Sequence, residues 1–113
     1  MNERVERPWG WYENLFDADE YKVKRLFVEQ DKKISLQYHN YRSEFWVVVS
    51  GFGTVEIEKE VKDVYVGDYI FIGELEKHRI CGGKGGIMIV EVQLGISCVE
   101  EDIVRIEDDF GRI

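Results

Sequence analysis

Apolar and polar residues alternate with a period of two along most of the chain. The segments YKVKRLFVE (21–29), KISLQYH (33–39), EFWVVVS (44–50), TVEIEKEV (54–61), DYIFI (68–72) and GIMIVEVQLG (86–95) each predict a strand. They are rich in Val, Ile, Tyr, Phe and Trp and are bounded by Gly, Asp, Asn or Lys. No long window carries the 3.6-residue period of an amphipathic helix. Only VEEDIVRIEDDFGRI (99–113) fits either a strand with a polar tail or a short helix. Many short strands at close spacing predict an all-β barrel or sandwich.

Glycines punctuate this pattern. SGFGT (50–54) and VGD (66–68) predict turns, because Gly takes positive φ at little cost. CGGKGG (81–86) lacks the Gly-Lys-Ser/Thr ending of a phosphate loop and no helix follows it, so it predicts a hairpin loop. No repeat, linker or change of composition divides the 113 residues, which predict a single domain over 1–113.

Charge narrows the partners. A net charge of -8 disfavours nucleic acid and anionic membranes. No segment approaches the ~20 apolar residues of a membrane span. MNERVERPWG has no apolar run, so no signal peptide is expected. Cys81 and Cys98 form neither a CxxC pair nor a metal-type cluster, and read as reduced thiols of a cytoplasmic protein.

Three polar residues interrupt otherwise core-like segments. On a strand, Gln37 and His39 share a face, opposite Ile34, Leu36 and Tyr38. After a turn at 40–43, a hairpin would set Glu44 opposite His39. The other histidine, His78, follows DYIFI by a short loop. Two imidazoles, a carboxylate and an amide oxygen make a four-ligand set that suits Zn, Mn, Fe, Co or Ni with an open position. Each residue also has a plain structural explanation. A histidine at a strand end is usually hydrogen-bonded, Gln37 can satisfy a core polar contact, and Glu44 can pair with Arg42 or Arg25. Spacing alone leaves both readings open.

Gln37-x-His39-x4-Glu44, with Gly51 seven residues on, resembles the first cupin motif with Gln in place of the usual first His. Gly67-x5, a short loop and His78 resemble the second. That resemblance implies a cupin jelly-roll β-barrel of two packed antiparallel sheets with a metal between them. A narrower likeness rests on RPWGWY (7–12), YKVKRL (21–26), SLQYHNYRSEFWVVVSG (35–51), EVQLG (91–95) and EEDIVRIEDDFGR (100–112), in that order. Together they resemble the type II mannose-6-phosphate isomerase cupin, often the C-terminal part of bifunctional enzymes that carry a mannose-1-phosphate guanylyltransferase domain. The resemblance implies one divalent metal ion per chain, Zn first, with Mn, Co, Ni, Fe or Mg as alternatives. It implies ligation by Gln37, His39, Glu44 and His78. The implied activity interconverts mannose 6-phosphate and fructose 6-phosphate, without guanylyltransferase activity. Two departures stand out: Phe45 where the family has the His of EHW, and Gly73-Glu74-Leu75 where it has Pro-x-Gly.

Isomerisation needs a base, stabilisation of a developing enediolate, and a grip on phosphate. Glu91 and Gln93 share a face. Buried in an apolar barrel, Glu91 would have a raised pKa suited to a base, or could serve a ligand histidine. Lys22 and Lys24 share a face that could line the cleft. Lys22 and Arg112 are expected to act on the reacting charge, and Lys24, Arg42 and Gln93 to bind substrate, with Arg25 and Arg79 as further phosphate candidates. Phe110 and Gly111 could fold the tail over the barrel mouth and deliver Arg112. Apolar residues on both sides of the strands predict a homodimer through a sheet face, with RPWGWY packing on a neighbour or closing the pocket mouth. The alternative function is a non-catalytic sugar- or sugar-nucleotide-binding cupin that regulates a separately encoded guanylyltransferase. A cupin-type iron dioxygenase is disfavoured by Gln37 in the first ligand slot.

Overall fold

The computed structural model describes residues 3–113, which form nine strands and no helix. They are β1 (Arg4–Arg7), β2 (Gly10–Asp17), β3 (Tyr21–Val28), β4 (Leu36–Tyr38), β5 (Arg42–Ile57), β6 (Glu60–Tyr65), β7 (Tyr69–Ile72), β8 (His78–Gly95) and β9 (Val104–Glu107). Every pair of neighbouring strands is antiparallel.

Two strands organise the rest. β5 has 16 residues and β8 has 18, and they pair along most of their length. The register slips between Val48 and Ser50 and between Gly51 and Gly53, and both strands bend there. One half of β8 continues through β3, β2 and β1, while its partner half of β5 carries β7. The other half of β8 meets β4 and then β9, and its β5 partner carries β6. The chain thus curls into two facing sheets joined by two bent strands.

Several expectations are corrected here. SGFGT is a bend inside β5, and CGGKGG lies inside β8 rather than in a hairpin loop. Gly51 and Gly86 take φ of 74° and 87° at this bend, and a Cβ on Gly51 would collide with the Gly86 carbonyl oxygen. The glycines therefore let two strands bend together. TVEIEKEV is two strands, because Glu58 and Lys59 form a two-residue turn with φ of 47° and 76°. Of KISLQYH only Leu36–Tyr38 is strand. The C-terminal segment is a strand, β9, followed by a turn.

His39 and Glu44 are not hairpin neighbours. β4 pairs with β8 and β9, whereas β5 pairs with β6, β7 and β8. Residues 39–41 cross from one sheet to the other, because Asp102 captures the backbone N–H groups of Asn40 and Tyr41. His39 and Glu44 meet across the interior instead.

Alternation sets what that interior contains. Leu26, Ile89 and Val48 stand side by side on β3, β8 and β5, and all are buried. One step along the same strands, the row becomes Lys24, Glu91 and Trp46, and then Lys22, Gln93 and Glu44. One end of the barrel is therefore an apolar plug and the other a polar cleft. Outside, Phe45 stacks on Tyr69 at 5.6 Å, and Tyr69 and Phe71 are exposed. The N-terminal hairpin brings Arg7, Trp9 and Tyr12 to the cleft wall.

Candidate metal centre and cleft

His39, Glu44 and His78 converge at the polar end, with one ligand atom from each lying within 4.8 Å of the others. His39 Nε2 is 3.2 Å from Glu44 Oε2, and His78 Nε2 is 3.9 Å from Glu44 Oε1. All three are almost fully buried, at 3%, 2% and 0% exposure. Glu44 comes from the sheet of β3, β8 and β7, and the histidines from the facing sheet.

Second contacts orient each ring. His39 Nδ1 lies 2.6 Å from the Asp102 carbonyl oxygen, and His78 Nδ1 lies 2.9 Å from that of Glu76. A carbonyl only accepts, so each Nδ1 carries a proton and each ring turns its Nε2 inward, the atom that would ligate a metal. Burial depresses the His78 pKa, with the Glu44 charge opposing in part, which favours the neutral ring. Burial alone would raise Glu44, but the hydrogen bond and charge of His39, with His78 and Arg42, hold it well below the ordinary range. His78 Nε2 has no hydrogen-bond partner. A buried lone pair left empty beside a carboxylate and a second imidazole fits a divalent cation. These are the donor types of zinc and related first-row metals.

Gln37 lies directly opposite His78 across β4 and β8, on the same face. Its Oε1 accepts from Ser35 Oγ at 2.7 Å and retains a second lone pair. Trp46 donates to Glu44 Oε1 at 3.0 Å and is buried in the core. Phe45 points to the outer face, away from the centre. Arg42 Nε donates to Glu44 Oε2 at 2.9 Å, its Nη2 lies 3.4 Å from His39 Nε2, and its Nη1 donates to the Val99 carbonyl at 3.0 Å.

Beside this centre lies a cleft of about 70 Å³, open on one side. Glu91, Lys24, Arg42 and Gln37 line it. Gln93 Nε2 donates to Glu91 Oε2 at 2.6 Å. Burial, then the charge of Glu44, raises the Glu91 carboxyl to about 7, against the pull of Lys24. Lys24 Nζ bonds both Glu100 oxygens at 3.1 and 3.2 Å, and Lys22 Nζ is 3.9 Å from the same carboxylate. Of the two lysines, Lys24 lines the cleft. Arg112 also lines it, but its Nε and Nη2 go to Asp108 at 2.6 and 3.0 Å. Arg25 pairs with Glu13, and Arg79 donates to the Ile34 carbonyl away from the cleft. Asp102, Glu100 and Arg105 were not singled out by sequence reasoning. Arg105 did carry a signal, as a charge alternating with Val104 and Ile106.

The chain matches the family described as mannose-6-phosphate isomerase C-terminal over residues 1–108. It belongs to that family. Mannose-1-phosphate guanylyltransferase ManC of Salmonella typhimurium is 38% identical, aligned over 100% of this chain and 24% of that protein. The chain spans about a quarter of the length of the curated relatives it matches. Among solved structures, oxalate decarboxylase from Bacillus subtilis superposes with a TM-score of 0.83 at 16% identity, over 93% of this chain and 30% of that one. A protein with a double-stranded β-helix domain from Klebsiella pneumoniae gives 0.79 at 15% identity, over 93% and 90%. These likenesses show the fold, a cupin jelly roll. Among the described residues no helix is long and apolar enough to cross a membrane.

Proposed function

We propose that the chain is a metal-dependent aldose–ketose isomerase that interconverts mannose 6-phosphate and fructose 6-phosphate. The observation that carries this reading is Glu91. In a chain of this family, its carboxyl is raised to about 7 inside the cleft that His39 and Glu44 of the candidate metal centre also line.

His39, Glu44 and His78, with Gln37, would hold a divalent ion, which supplies Lewis-acid polarisation of sugar oxygens when bound. Glu91 takes the proton from the carbon beside the carbonyl and returns it to the former carbonyl carbon. One buried carboxyl that accepts the proton and gives it back serves both directions. The hydroxyl proton passes between the two sugar oxygens, so the reaction has no net oxidation. Gln93 fixes the Glu91 rotamer by its bond to Oε2. Lys24 and Arg42 supply preorganised positive charge where the enediolate oxygens develop charge, and Lys22 reinforces it through the shared Glu100 carboxylate.

The test is turnover of both sugar phosphates by metal-loaded chain, alongside a panel of hexose and pentose phosphates. Glu91→Gln should retain metal stoichiometry and lose at least 100-fold in kcat, the lower end of what a general base contributes. Full turnover in that variant removes Glu91 as the base, and no turnover of any sugar phosphate overturns the isomerase reading. A second reading, a sugar-binding module that regulates a separate guanylyltransferase, is favoured by the name of the ManC relative. It predicts binding without turnover.

A further inference from the structure

We propose that Arg105, with Arg7 at the rim, forms an oxyanion subsite that takes the phosphate group of the cleft's ligand. The isomerase reading supplies the identity of that ligand, a sugar phosphate. The subsite itself rests on which cations remain free.

Five cationic side chains line the cleft: Arg7, Lys24, Arg42, Arg105 and Arg112. Three already face carboxylates, as Lys24 does Glu100, Arg42 does Glu44 and Arg112 does Asp108. Among the described residues, Arg7 and Arg105 have no carboxylate within ion-pair distance. Arg7 donates only to the Glu6 carbonyl and, at 3.4 Å, to the Tyr12 hydroxyl. Arg105 makes no hydrogen bond through its guanidinium, and its Nε is buried without a partner. A buried charged donor with no acceptor is costly to leave unmet. A planar guanidinium is suited to two oxygens of one phosphate.

Strand register gives the subsite its distance. Arg105 on β9 lies directly opposite Gln37 on β4, which lies directly opposite His78 on β8. The three share a face, and two strand spacings separate Arg105 from His78, about 10 Å. That is the scale of one hexose phosphate laid across the cleft. Its carbonyl end would sit at the histidines and its phosphate at the arginine. Glu91, one sheet over, would then flank the reacting carbons rather than the phosphate. The subsite selects phosphorylated sugars over free sugars.

Inorganic phosphate is the probe, titrated into the full chain by calorimetry and ³¹P NMR, with metal content measured alongside. Arg105→Gln should weaken phosphate binding at least tenfold and leave metal stoichiometry unchanged. Arg105→Lys keeps the charge without the fork and should fall between the two. It also reads the subsite should the glutamine variant misfold. Arg4→Gln, outside the cleft, controls for net charge and should bind as wild type. Wild-type affinity in the Arg105→Gln, Arg7→Gln double variant overturns the subsite. So does a larger loss from Arg112→Gln than from Arg105→Gln, or no phosphate binding by the wild-type chain. Phosphate binding that depends on Arg105 in a chain without turnover overturns the isomerase reading and keeps the subsite. Turnover with phosphate binding indifferent to Arg105 does the reverse.

Discussion

The Nδ1 of His39 donates to the backbone carbonyl of Asp102, a residue 63 positions further along the chain, at 2.6 Å. The Asp102 carboxylate also accepts from the backbone N–H groups of Asn40 and Tyr41, both at 2.9 Å, and from the Asn40 amide. One residue therefore fixes both the tautomer of a candidate ligand and the path of the chain after it. Asp102→Ala should cost about 1–3 kcal/mol in denaturant unfolding and weaken divalent metal binding about 10- to 100-fold. Asp102→Asn retains one acceptor oxygen and should lose less. Unchanged metal affinity in both variants would remove Asp102 from the support of the site.

Arg42 bonds Glu44 Oε2 and approaches His39 Nε2, the two atoms that also face a cation. Guanidinium and divalent ion compete for the same negative charge. Arg42→Gln should therefore bind metal about tenfold more tightly, for a difference near 1.4 kcal/mol. The metal-free variant should be less stable by about 3 kcal/mol, since Glu44 loses its buried partner. Metal titration and paired melts with and without chelator read both effects. Weaker metal binding in Arg42→Gln would mean that the arginine supports the ion.

Glu91 gives the metal-free protein a pH signature. Its carboxyl is raised from 4.5 to about 7, by burial first and by the Glu44 charge second. The folded state therefore keeps a proton that the unfolded chain releases between those values. The stability this contributes is complete below 4.5 and is lost as pH rises through about 7, up to about 3 kcal/mol. Melting curves across that window should fall with pH for the wild type and flatten for Glu91→Gln. Parallel slopes would show that Glu91 is already ionised in the folded state.

Leu75 sits at φ of 67° with 58% of its surface exposed. Its N–H donates to the His39 carbonyl at 2.9 Å, so this loop ties the approach to His78 back to His39. A leucine in the left-handed region costs about 1–2 kcal/mol, part of which glycine returns through the entropy of the unfolded chain. Leu75→Gly should stabilise the protein by about 0.5–1 kcal/mol. A lower Tm in that variant would mean that the leucine side chain holds the loop.

Period-two alternation made the residues of β3, β7 and the second half of β8 legible, because one face of each is buried. The same alternation placed Glu91 beside Gln93 and Lys22 beside Lys24. Glycine was misread at SGFGT and CGGKGG, since the residue that permits a turn also permits two long strands to bend together. The true turn at Glu58-Lys59 was invisible, as neither residue favours positive φ. The chemical types of His39, Glu44 and His78 pointed to a common centre, but the hairpin drawn between His39 and Glu44 was wrong. Their meeting depends on Asp102, and no local pattern ties Asp102 to position 39.

β5 and β8 each belong to both sheets, so neither sheet can detach without dismantling the other. The floor of the cleft has no hinge. What can yield is the periphery: the β1–β2 hairpin with Arg7 and Trp9, and β9 with the turn that follows it, carrying Arg105 and Arg112. Native-state hydrogen exchange should show slow, concerted exchange for the paired halves of β5 and β8 and faster local opening at this rim. A ligand would then enter past yielding walls onto a fixed floor.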